Sequence, residues 1–124
     1  MRSLNILLVE DDEMISKITS YFLTHNGHKV EIVRNGNDAI SSFKGKDYDL
    51  ILMDIQMPEM DGLEAVREMR KIEMDFYPDG RTTIIAITTN PDKMECLNAG
   101  FDGYAQKPFN FEDLKKLFYE YHLI

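Results

Sequence analysis

At 124 residues the chain is long enough for one ordinary domain with a real core and too short for two. A composition of 44% hydrophobic and 29% charged residues is that of a globular protein, and a net charge of -8 argues against binding nucleic-acid phosphates or anionic membrane surfaces. With no apolar run near the roughly 18 residues of a membrane helix, and acid arriving early in "MRSLNILLVEDDE", the sequence reads as cytoplasmic, with no nucleic-acid or membrane partner.

In chain order, Leu4 to Val9 is an apolar run of strand length. Residues 13–26 then carry Met14, Ile15, Ile18, Tyr21 and Phe22 at the spacing of one helical face, and Gly27 stops that helix. "KVEIV" alternates as a short strand does, "NG" punctuates it, and Ala39, Ile40 and Phe43 mark a helix over about 37–43. Asp49 to Met53 predicts a third strand, and Gly62 to Ile72 a helix with Leu63, Val66 and Met69 turned inward. "IEMDFYPDGR" reads as an irregular surface connection, "TTIIAITT" as a fourth strand, and Asp92 to Ala99 as a short helix ended by Gly100. "GYAQ" is a weak fifth strand. Asn110 is placed to cap a last helix with Glu112 and Asp113 in its first turn and Leu114, Leu117, Phe118 and Tyr121 along its inner stripe. Five β-α units in series predict an α/β fold: one five-stranded parallel sheet, doubly wound, in a single domain over 1–124.

In an open parallel sheet the carboxyl ends of the strands form the ligand edge. The first strand ends in Glu10 and Asp11, the third in Asp54 after four apolar residues, the fourth in Thr88, and Lys107 follows the fifth. Taken singly each has a plain explanation: Asp11 or Asp12 as a helix cap, Thr88 as a β-branched strand residue, Lys107 as a solvated charge. Chance would scatter such groups over both ends of the sheet, whereas here they share one. Three carboxylates close together repel unless a cation sits among them, and one lysine is insufficient. Oxygen donors without His or Cys favour a hard ion, Mg²⁺ or Mn²⁺. A carboxylate beside such an ion, an ammonium and a hydroxyl suits phosphoryl transfer, with Asp54 as nucleophile, Lys107 neutralising phosphoryl oxygens and Thr88 donating to one.

The motifs "ILLVEDDE", "DLILMDIQMPEMDG", "IIAITTN" and "CLNAGFDGYAQKPF" resemble, in order and over nearly the whole chain, the receiver domain of two-component response regulators. The resemblance implies a flavodoxin-like (βα)5 fold and a phosphoacceptor Asp54 served by a sensor histidine kinase or a histidine phosphotransfer domain. It implies Glu10 and Asp11 as the acidic pair, with Asp54 and the backbone carbonyl of Gln56 completing a Mg²⁺ site. Thr88 becomes the switch hydroxyl, Tyr104 the switch aromatic and Lys107 the phosphate-contacting lysine, with a cis bond before Pro108. The implied mechanism is a two-state shift, in which phosphoryl charge draws Thr88 inward and Tyr104 follows, with no turnover of an external substrate beyond self-assisted phosphotransfer and autodephosphorylation. Three departures stand out. The 19 residues from Thr88 to Lys107 (107 minus 88) are about a helical turn fewer than expected, so the fourth helix should be short or displaced. Thr89 replaces a more familiar Ala or Gly and would narrow access, and Gln56 and Asn90 stand where phosphoryl lifetime is tuned.

Rival readings fit less well. A magnesium-dependent aspartyl phosphohydrolase needs a second acid where "DIQ" has glutamine, and "EDDEM" would repel the phosphate a flavin carrier cradles. A binding module that has lost phosphorylation would not keep the full set of acids with Thr88 and Lys107. The chain is expected to be either a stand-alone receiver or one excised from a hybrid kinase; its residues name neither the kinase nor the output partner. His25, His28 and His122 read as surface residues, the methionines as core and loop filler, and Cys96 as a small helix-face hydrophobe.

Overall fold

The alternation of strand and helix survives folding intact. The computed structural model describes residues 2–77, 80–89 and 91–124. Its elements run β1 (Asn5–Val9), α1 (Glu13–His25), β2 (Lys29–Val33), α2 (Gly36–Gly45), β3 (Leu50–Asp54) and α3 (Gly62–Phe76). They continue with β4 (Thr83–Thr88), α4 (Lys93–Ala99), β5 (Gly103–Gln106) and α5 (Phe111–Glu120). The strands pair in parallel in the order β2-β1-β3-β4-β5, the flavodoxin-like arrangement.

Side chains alternate across the strands and so build two cores. Leu7, Val9, Ile51, Met53, Ile84 and Ala86 face α2, α3 and α4, packing with Phe43, Val66, Met69 and Cys96. Ile6, Leu8, Leu50, Leu52, Ile85 and Ile87 face α1 and α5, packing with Leu23, Leu114 and Phe118. Each fully buried Val, Leu, Ile, Phe or Met among them contributes about 1.5–3 kcal/mol. Because β1 and β3 are buried on both faces, their sequences read as unbroken apolar runs.

Three sequence expectations are corrected. The apolar stripe of α1 does not face the core: Met14, Ile18 and Tyr21 are 72%, 49% and 61% exposed, while Ser16, Thr19 and Leu23 are buried. The small Ser16 and Thr19 face the sheet together with Leu23; Ile15 and Phe22 are half-buried, and Met14, Ile18 and Tyr21 point away. Nor does α3 end at Ile72. It runs on to Phe76 because Glu73 turns inward to Arg70, one helical turn back, at 2.8 Å. Of the expected irregular segment, Pro78 and Asp79 lie outside the described residues. Finally, His28 is buried, its Nδ1 accepting from the Leu4 N–H at 3.1 Å and its ring edge-on to Phe118.

Candidate functional site

Strand order changes direction at β1: the chain steps from β1 outward to β2 and returns to β3 on the other side. The crevice at such a switch point, outside the carboxyl ends, is where α/β sheets bind ligands. Register fixes what lines it. Val9 pairs with Met53, so Glu10 and Asp11 emerge beside Asp54. Asp54 pairs with Ile87, placing Thr88 one residue further along the rim. Thr88 pairs with Gln106, and the Lys107 N–H donates to the Thr88 carbonyl at 2.8 Å. Four separate stretches of sequence therefore meet at one edge.

The side chains converge as the register requires. Glu10, Asp11 and Asp54 each present one carboxylate oxygen, all within 4.8 Å of one another; among the described residues no other acid, His or Cys cluster of three does so. Lys107 Nζ stands 2.8 Å from Glu10 Oε2 and 3.3 Å from Asp54 Oδ2. The contact with Glu10 is a close ion pair to a buried carboxylate oxygen. Asp54 is itself buried, at 4% exposure, and Oδ1 accepts from the Gln56 N–H at 3.0 Å. Asp11 remains exposed at the mouth. Asp12 caps α1 instead, accepting from the Ile15 N–H at 2.9 Å, which divides the work of two adjacent aspartates.

Burial, partly offset by Lys107, raises the Glu10 pKa to about 7, and the neighbouring Asp54 charge adds to the rise. Burial pulls Lys107 the other way, but its bond to Glu10 and the charges of Asp54 and Glu10 outweigh it, and its pKa lies above the lysine norm. One ammonium among three acid groups leaves an excess of negative charge. That surplus and the all-oxygen donor set fit a hard divalent cation such as Mg²⁺.

Gly62 is a site-shaping residue that periodicity alone could not reveal. A Cβ there would lie 2.6 Å from the Asp54 carbonyl oxygen and 2.8 Å from the Ile55 Cα, so the chain turns back under Asp54 only with glycine at this position. Its sequence signal was the Asp-Gly pair. The remaining expected residues are placed as follows. Thr88 is buried at the end of β4, and Tyr104 is 37% exposed on the edge strand β5. The Lys107–Pro108 bond is cis. The fourth helix is short at 7 residues, Thr89 is exposed, and Asn90 lies outside the described residues.

With this geometry in hand, a family model for the response regulator receiver domain matches residues 6–119. The chain belongs to the receiver domain family. A hybrid signal transduction histidine kinase of Dictyostelium discoideum is 40% identical over 88% of this receiver domain and 6% of its own length. The domain spans 6–15% of the length of matching histidine kinases of Oryza sativa and Dictyostelium discoideum. Among solved structures, the receiver domain of a sensor histidine kinase from Pseudomonas aeruginosa has magnesium coordinated in its active site cleft. It is 34% identical, with a TM-score of 0.83 over 96% of this domain and 97% of that chain. The receiver domain of Saccharomyces cerevisiae Ssk1, solved with the histidine phosphotransfer protein Ypd1, is 28% identical, with a TM-score of 0.84 over 93% of this domain and 86% of that chain. This receiver domain is a module of two-component signalling, and its acid pocket suits a magnesium ion.

Proposed function

We propose that Asp54 is the phosphoacceptor of this receiver domain. One observation carries the reading: a carboxylate buried to 4% exposure has an ammonium 3.3 Å away and shares a 4.8 Å cluster with two further acids. An Asp54 oxygen attacks the phosphorus of a phosphohistidine, the P–N bond breaks, and its electron pair returns to the imidazole. Lys107 meets the charge on the transferred oxygens, and Thr88, at the same rim, donates to one of them. Glu10, Asp11, Asp54 and the Gln56 carbonyl would hold Mg²⁺, with Mn²⁺ able to replace it. Held there, such an ion would supply positive charge for the phosphoryl oxygens and would relieve the repulsion among the acids. Water later attacks the same phosphorus, releasing inorganic phosphate and restoring Asp54. Thr88 and Tyr104 are the switch pair, two register positions apart on neighbouring strands.

The donor is a sensor histidine kinase or a histidine phosphotransfer domain. Beside the acid pocket lies a cavity of about 350 Å³ lined by Ile15, Ile18, Phe22, Lys107, Pro108 and Phe109. With the outward stripe of α1 it supplies the exposed apolar surface that marks a protein-docking face. The net charge of -8 supports a cytoplasmic domain acting through proteins rather than nucleic acid or membrane. Residues 1–124 form a single receiver unit.

Incubation with acetyl phosphate and Mg²⁺ is expected to add one phosphoryl group by intact-protein mass spectrometry. Chelation of the metal or Asp54→Asn abolishes the addition. Equal labelling of wild type and Asp54→Asn would refute the assignment.

A further inference from the structure

At the opposite edge of the sheet from the acid pocket, Arg70 of α3 is the centre of a partly buried polar hub. Its side chain is 13% exposed, yet every nitrogen is engaged. Nε donates to the Gly100 carbonyl, Nη1 to Glu73 Oε1 and the Thr82 carbonyl, and Nη2 to Asp102 Oδ2, at 2.8–2.9 Å. Glu73 Oε2 in turn accepts from the Thr82 N–H at 2.7 Å. Asp102 is the second centre. Its Oδ2 also accepts from the Ile84 N–H at 2.8 Å, Oδ1 accepts from Arg81, and its N–H donates to the Ile84 carbonyl at 2.8 Å. The Tyr121 hydroxyl donates to the Asp102 carbonyl at 2.9 Å, and it lies so close to Gly103 that a Cβ there would sit 2.1 Å away.

Fixing Asp102 matters because, beyond the buried Phe101 that precedes it and the backbone ladder to β4, β5 has little apolar anchorage of its own. The strand has four residues, lies at the sheet edge, and buries one side chain, the small Ala105. A strand with so little apolar pattern specifies its register weakly. Lys107 nevertheless hangs from its end and must reach Asp54 within 3.3 Å. A two-residue slip would carry the lysine about 7 Å along the sheet. Buried ion pairs stabilise modestly and serve best where they select one arrangement over others.

We propose that Arg70 and Asp102 are positioning residues for Lys107: their hub sets the register of β5 on β4 from one end, and so delivers the lysine at the other. The inference rests on the Asp54 reading for its consequence and on the hub geometry for its cause, and the two are tested separately. The first arm needs no phosphoryl group. In Arg70→Gln, the Lys107 amide, which donates to Thr88, exchanges about tenfold faster with deuterium, while Leu7 and Leu52 in the central strands keep their wild-type rates. Unchanged exchange at Lys107 in a folded variant overturns the proposal.

The second arm is a double-mutant cycle on acetyl phosphate labelling. Arg70→Gln is expected to slow labelling about tenfold in the wild-type background, since small misplacements of a catalytic group cost this much or more. In the Lys107→Ala background it changes the residual rate less than about twofold, because the group it positions is gone. A merely structural role would lower both rates by the same factor, and that result overturns the proposal. If Arg70→Gln does not fold, Tyr121→Phe decides in the same cycle, since it removes a single hydroxyl from the Asp102 carbonyl. Wild type that takes no label from acetyl phosphate or from a phosphohistidine donor refutes the Asp54 reading, and the exchange arm then judges the register alone.

Discussion

Asp11 and Asp12 are adjacent, exposed and chemically identical, and they do different things because β1 has ended and α1 is about to begin between them. Asp12 closes an orphan amide of the helix, and Asp11 leans to the acid cluster. Asp12→Ala is therefore expected to lower stability in urea unfolding by about 1 kcal/mol. Asp11→Ala should leave stability within about 0.5 kcal/mol while sharply weakening Mg²⁺ binding by titration calorimetry. His28 makes a second residue-scale prediction. Burial lowers its pKa below the ordinary 6.5, with no charged group contributing. The neutral ring accepts from Leu4 through Nδ1, so protonation would also break that bond. The folded state thus binds the proton less readily than the unfolded chain. Its contribution to stability is complete above 6.5 and is lost as pH falls through the depressed folded value. Glu10, raised to about 7, contributes with the opposite sign, so the comparison must isolate the histidine. The stability advantage of wild type over His28→Gln, which keeps an acceptor and cannot titrate, is expected to shrink between about pH 7.5 and about pH 5.5 in urea unfolding. An advantage constant over that range would contradict it.

At the scale of elements, periodicity found every helix and strand, and its two misreadings share a cause. In α1 the residues 14, 15, 18, 21 and 22 have correct helical spacing, but spacing does not say which face meets the sheet. Ser16 and Thr19 pack there because they are small, and the apolar stripe is left for something else. In α3 the apolar period stops at Ile72, and the helix continues on an ion pair that no hydropathy pattern encodes. The weak β5, by contrast, was read correctly from "GYAQ" although its register depends on the same polar hub. The outward stripe of α1 carries its own prediction. Ile18→Glu, at a position 49% exposed, should change stability by less than about 0.5 kcal/mol and leave acetyl phosphate labelling untouched. Phosphotransfer from a phosphohistidine domain should slow about tenfold, the factor that corresponds to 1.4 kcal/mol of lost docking. Equal transfer rates would show that the donor docks elsewhere.

At the scale of the whole molecule, residues from the ends of β1, β3, β4 and β5 act together because a parallel sheet sends every carboxyl end to one rim. That rule made Glu10, Asp11, Asp54, Thr88 and Lys107 legible as one site from sequence. The distances among them and the remote hub were not legible, since they depend on backbone approach and on polar geometry rather than on pattern. The whole arrangement funnels charge toward one carboxylate, and the most direct test is to find where the phosphoryl group goes. The protein, phosphorylated in the presence of Mg²⁺, is treated with borohydride, which reduces an acyl phosphate to the alcohol, and its peptides are sequenced by mass spectrometry. Homoserine at position 54 alone is the expected result. Homoserine at Glu10's neighbour Asp11 or at any other aspartate, with position 54 unmodified, would contradict the account.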